Sequence, residues 1–136
     1  MSFEESILQG FAKEIPINTS RAKSMKQAAE QAVETACDIP VTEKSAKSIL
    51  RELYEGMREY CEAIGYSRGY KFHSHESITY FITDVLNEQH IAKRFDRYRK
   101  LRNGINYFGN DIALETVKKA REEIPKVIKR LYEYMN

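Results

Sequence analysis

The chain has 136 residues, 31% of them charged and 42% hydrophobic, with 22 Lys and Arg against 20 Asp and Glu for a net charge of +2. Its length suits a single domain over residues 1–136 with one sizeable core, and its composition excludes fibrous and low-complexity classes. No apolar stretch approaches membrane-spanning length, and the net charge is too small by itself to mark a nucleic-acid binder.

Residues 2–15 read as a short first helix with Phe3, Ile7, Leu8 and Phe11 at helical spacing, closed by Pro16. Asn18, Thr19 or Ser20 can cap a second helix, whose stripe is Met25, Ala28, Ala29, Ala32, Val33 and Ala36, ended by Pro40. So many alanines let a neighbouring helix approach closely. Thr42 can cap a third, in which Ala46, Ile49, Leu50, Leu53, Met57, Cys61 and Ile64 recur every three or four residues. Gly65 stands where a left-handed C-terminal residue is wanted. Residues 66–75 then read as a loop of about ten residues, a length that often carries function in compact domains.

Ser74 can cap a fourth helix bearing Ile78, Phe81, Ile82, Val85 and Leu86. A fifth, from about Ile91 to Phe108, has Phe95, Tyr98, Leu101, Ile105 and Phe108 as its stripe, and Gly109, Asn110 and Asp111 form a turn. The last carries Val117, Ala120, Ile124, Val127, Ile128, Leu131 and Met135, and Pro125 within it predicts a kink or two abutting helices. The sum is an all-α, antiparallel (up-and-down) bundle of five to six helices without a sheet. Cys37 and Cys61 lack CxxC spacing and have apolar neighbours, as small core residues in a reducing compartment would. With no basic start followed by an apolar run, no signal peptide is expected, and the location expected is cytoplasmic.

Charge is uneven along the chain. Residues 91–108 hold six Lys or Arg and one Asp, whereas residues 1–15 hold three Glu and one Lys. Within the stretch RYRKLRNGINYFGND (97–111), Arg102 is the informative residue. At about 100° per residue it projects inside the apolar arc, between Phe95 and Tyr98, with Asn106 and Arg99 next along the edge. A guanidinium at a core margin must be paired or must face a cleft. Either it bonds a buried carboxylate or helix-end carbonyls, or packing holds it rigid so that its donors meet a phosphate.

YRKLRNGINYFG (98–109), preceded by GYKFHSHESITYFI (69–82), resembles the HEPN superfamily, helical domains of higher eukaryotes and prokaryotes named for nucleotide binding. The resemblance runs from about Gly65 to Leu131. It implies a small antiparallel helical bundle, a homodimer, and RNA or a nucleotide as ligand. Many members have an Arg followed, four to six residues on, by a His, and cleave RNA without a metal. Some are toxins encoded beside a separate small nucleotidyltransferase. Carried onto this chain, the family's Arg falls on Arg102, its polar follower on Asn103, and its catalytic His on Tyr107, preceded by Asn106.

That last position departs from the family. Tyr titrates near 10 and Asn not at all, whereas His exchanges protons near neutral pH. The RNGINY form therefore favours binding through Arg99, Arg102, Asn103, Asn106, Tyr107 and His75 over catalysis by Arg102 and Tyr107. The open alternatives are a metal-independent endoribonuclease of toxin type and a structural dimerisation module. RGYKFH (68–73) repeats the Arg-to-His spacing outside a helix, where it lacks the motif's context. His73, His75 and Glu76 form only a weak HxHE cluster, so no metal and no cofactor are expected. Glu76 also suits the positive end of the fourth helix. A third reading folds this segment onto the fifth helix and brings His75 or His73 toward Arg102.

Overall fold

The computed structural model describes residues 1–135. Six helices follow in chain order: α1 (Phe3–Leu8), α2 (Thr19–Asp38), α3 (Ala46–Arg68), α4 (His75–Asp84), α5 (Gln89–Phe108) and α6 (Leu114–Leu131), with a 3₁₀ turn at Tyr132–Tyr134. The fold is an all-α bundle, with one element that periodicity did not reveal. Strands β1 (Ala12–Glu14) and β2 (Tyr70–Phe72) pair antiparallel, Ala12 opposite Phe72 and Glu14 opposite Tyr70. The expectation of no sheet is corrected on that point. Three-residue strands are too short to show alternation in the sequence, and their pairing is visible only once both ends of the chain segment meet.

Those strands come from two segments read otherwise. The first helix stops at Leu8, because Gly10 turns the chain at φ 83° and Phe11 N–H donates back to the Ser6 carbonyl at 2.8 Å. Leu8 and Phe11, assigned to its buried stripe, are exposed instead. The third helix runs past Gly65 to Arg68, and Gly69 (φ 88°) supplies the left-handed cap. Gly65 has a different use: a Cβ there would lie 2.7 Å from the Phe72 ring, so its lack of side chain lets β2 close on α3. What read as a ten-residue loop is therefore the end of α3 and then β2, and Tyr66 is buried on the helix.

Helix α3 is the axis of the core. Its stripe from Ala46 to Ile64 is buried as periodicity requires, and Tyr54 and Tyr60 are buried with it. Helix α2 lies antiparallel to it: Asn18 N–H donates to the Tyr66 carbonyl at 3.0 Å, and Gly56 meets Ala29 and Val33 midway. Asn18 caps α2 through Arg21 N–H (3.0 Å), and Ser74 caps α4 through Ser77 N–H (3.1 Å). At the start of α3, Thr42 and Ser45 exchange backbone-to-hydroxyl bonds of 2.9 and 3.1 Å. Helix α6 lies antiparallel to α5, joined by Glu123 to Tyr98 and by Arg130 to Glu88. It is one continuous helix through Pro125, not two abutting ones. Phe108, placed in the stripe of α5, is 78% exposed. Among the described residues no helix is long and apolar enough to cross a membrane.

The closest approach of α2 and α3 is testable. A Cβ on Gly56 would sit 2.5 Å from Val33 Cγ2 and 3.0 Å from the Ala29 carbonyl oxygen. Gly56→Ala gains about 0.5–1 kcal/mol of helix propensity. Overpacking costs about 1–3 kcal/mol, so net destabilisation is expected in a denaturant melt. A stabilised variant would show that the two helices separate freely.

Candidate functional site

Helices α3, α4 and α5 bring polar groups together at one margin of the core. The sheet sets the first of them. His73 and Ser74 N–H groups donate to the Phe11 carbonyl at 2.8 and 3.2 Å, and Ser74 then caps α4, so that His75 is its first residue. From that position the ring reaches both other helices. Its Nδ1 lies 2.8 Å from Arg102 Nη2 on α5 and 3.0 Å from the Tyr54 hydroxyl on α3. Arg102 also stacks over the Tyr54 ring, 5.0 Å from guanidinium carbon to ring centroid.

These contacts fix the protonation of His75. Arg102 has only donors, so Nδ1 must be an acceptor and Nε2 carries the hydrogen. Burial, with Arg58, Arg102 and Arg99 nearby, holds the imidazole down to about 4, well below its ordinary value. His75 is thus neutral at physiological pH. Tyr54 moves the opposite way: burial pushes its phenol up, and the three guanidiniums offset that only in part.

Most of the basic run on α5 is already neutralised. Arg94 and Arg97 share Glu123 from α6, and Arg99 and Lys100 share Asp96, Arg99 at 2.7 Å. On α3, Arg58 is paired with Glu55 and Glu62, and burial lowers its pKa. Arg102 differs. Among the described residues it has no carboxylate partner, only His75 and the Asn103 side-chain oxygen at 3.3 Å. Arg51 is similar, its Nε donating to Asn106 Oδ1 at 2.7 Å. Both guanidiniums line a cleft of about 300 Å³ between α3 and α5, with Asn106, Glu52 and Glu55.

Of the residues singled out in the sequence, the structure brings together Arg102, His75, Asn103 and Asn106. Arg99 stands beside them but is held by Asp96. Tyr107 makes no hydrogen bond to the cluster and is 70% exposed at the end of α5. His73 is exposed, and the Glu76 carboxylate accepts from the Tyr80 hydroxyl at 2.8 Å. Among the described residues no three His, Cys, Asp or Glu side chains are grouped to hold a metal ion. Arg51 and Arg58 escaped the sequence reading, and Tyr54, on the α3 stripe, read only as a core or core-edge residue, which its burial bears out. The signal for the two arginines was a polar run at helical spacing, Arg51, Glu55, Arg58 and Glu62, flanking the α3 stripe.

A cluster of this kind can hold an anion. Arg102 supplies a fork of donors packed on the Tyr54 ring, and Arg51 supplies a second charge beside Asn106. The chain matches no family model, no curated protein and no solved structure.

Proposed function

We propose that this domain binds RNA or a nucleotide through its phosphate at the Arg102 cleft, as a homodimer and without strong catalysis. One observation carries the reading: two guanidiniums, Arg102 and Arg51, line one cleft and hydrogen-bond only neutral groups, while of the two carboxylates that share the lining, Glu52 and Glu55, the second is paired with Arg58. A phosphate entering there replaces weak neutral acceptors with a charged one and breaks no ion pair. The resemblance of residues 98–109 to the HEPN superfamily supports the same ligand class, and with it a separately encoded nucleotidyltransferase as a partner. The exposed pair Tyr107 and Phe108 supports a subunit contact at that end of α5.

Weak catalysis follows from the state of His75. With Nδ1 engaged by Arg102 and Nε2 already protonated, the ring has no free lone pair to take a proton from a 2′-hydroxyl. The second reading, a metal-independent endoribonuclease, is favoured by the same 2.8 Å contact, since it puts a titratable ring beside a phosphate-binding Arg. Arg102 would have to leave His75 before that ring could act as base.

Arg102→Ala is expected to weaken binding of a short single-stranded RNA by about 1–3 kcal/mol, and Arg51→Ala by less, in a fluorescence titration with fold stability checked in parallel. Lys93→Ala should mainly flatten the salt dependence. Unchanged affinity in both Arg variants would reject the site. Cleavage by the natural chain with chelator present, abolished in Arg102→Ala, would establish the nuclease instead. Sedimentation of the chain as a single 15.9 kDa species at micromolar concentration would reject the dimer.

A further inference from the structure

Every element packed around His75 presents it with donors or cations. Helix α3 contributes the Tyr54 hydroxyl and Arg58, the latter paired with Glu55 and Glu62. Helix α5 contributes Arg102 directly and Arg99, the latter paired with Asp96. On α4 itself the nearest carboxylate, Glu76, accepts from Tyr80. One lone pair on Nδ1 therefore serves two donors, and the stronger of them is the guanidinium that an anion would claim.

We propose that anion binding at Arg102 is coupled to proton uptake by His75. The inference rests on the anion-site reading above. As the anion takes Arg102 Nη2–H, Nδ1 loses its charged donor and its lone pair is free for a proton from solvent. The new Nδ1–H donates to the Tyr54 oxygen, already 3.0 Å away, as the phenol hydrogen rotates away from the ring. One proton is gained for each anion bound, and no covalent bond of the ligand changes.

The electrostatics have the required sign. Without a ligand, burial and three guanidiniums keep the ring neutral to about pH 4. A negative charge among those guanidiniums offsets them and raises the affinity of the ring for protons. Between the free and the bound pKa, affinity for the anion then rises as pH falls, by at most about tenfold per pH unit for one linked proton. The cleft would thus favour anions that keep their charge in weak acid, as phosphodiesters do.

Calorimetry tests this with an oligouridylate that lacks terminal phosphates, so that the ligand itself does not titrate in the range used. Titrations in two buffers of different ionisation enthalpy should report uptake of up to about one proton per site near pH 5.5, with binding several-fold tighter than near pH 7.5. His75→Gln should remove the buffer dependence and flatten the profile, although His73 and His90 are still present. Tyr54→Phe, which deletes the acceptor for Nδ1–H, should reduce the uptake. Buffer-independent heats from the natural chain would overturn the coupling on their own, whether or not the variants fold. If Arg102→Ala still weakens binding in that case, only the coupling fails. If Arg102→Ala binds as tightly as the natural chain, or the oligouridylate does not bind, the site and the coupling fall together.

Discussion

The hydrogen bond from Arg102 to the neutral ring of His75 is the interaction on which the site depends. A guanidinium at a core margin normally ends on a carboxylate, and five other arginines in this chain do. Arg102 ends on an imidazole nitrogen and lies over the Tyr54 ring. That arrangement packs the side chain in place while giving it no direct carboxylate partner among the described residues, the combination that an anion site needs. A carboxylate in place of His75 would fill the site with an internal salt bridge.

The fold supplies this arrangement from a distance. Tyr54 is buried because α3 is the axis of the bundle, packed on one side by α2 through Gly56 and the small residues of that helix. His75 is where it is because β1 and β2 pair and hand the chain to the Ser74 cap. Arg102 is on the remaining helix, whose other cations are tied to Glu123 and Asp96. The outer cations are tied in ion pairs, and the inner one keeps neutral partners. Burying a titratable ring among guanidiniums is unfavourable for its protonated form, and that bias is what couples ligand charge to proton binding.

The sequence made the α5 half of the site legible and hid the other half. Helical rotation alone placed Arg102 inside the apolar arc, because Phe95, Tyr98 and Ile105 define that arc strongly. The stripes of α3, α4 and α6 were equally readable for the same reason. His75 was offered only beside His73 as a histidine that could fold toward Arg102, since its position depends on a strand pair of three residues each, joined over some sixty residues of chain. Gly65 was misread as a cap because spacing says nothing about the Phe72 ring that needs the space. Arg51 was not singled out, and only the neighbouring Asn106 on α5 shows which way it faces. Tyr107, the residue aligned with the catalytic His of the resembling family, stands apart from the cluster, so alignment and geometry point to different residues for any proton chemistry.

The tautomer of His75 is the most direct test, and heteronuclear NMR of the ring nitrogens reads it without any ligand. At neutral pH the ring should be neutral, with bare, hydrogen-bonded Nδ1 and hydrogen on Nε2. A ring protonated on Nδ1, or an imidazolium at that pH, could not accept from Arg102 and would contradict the arrangement from which the site is built.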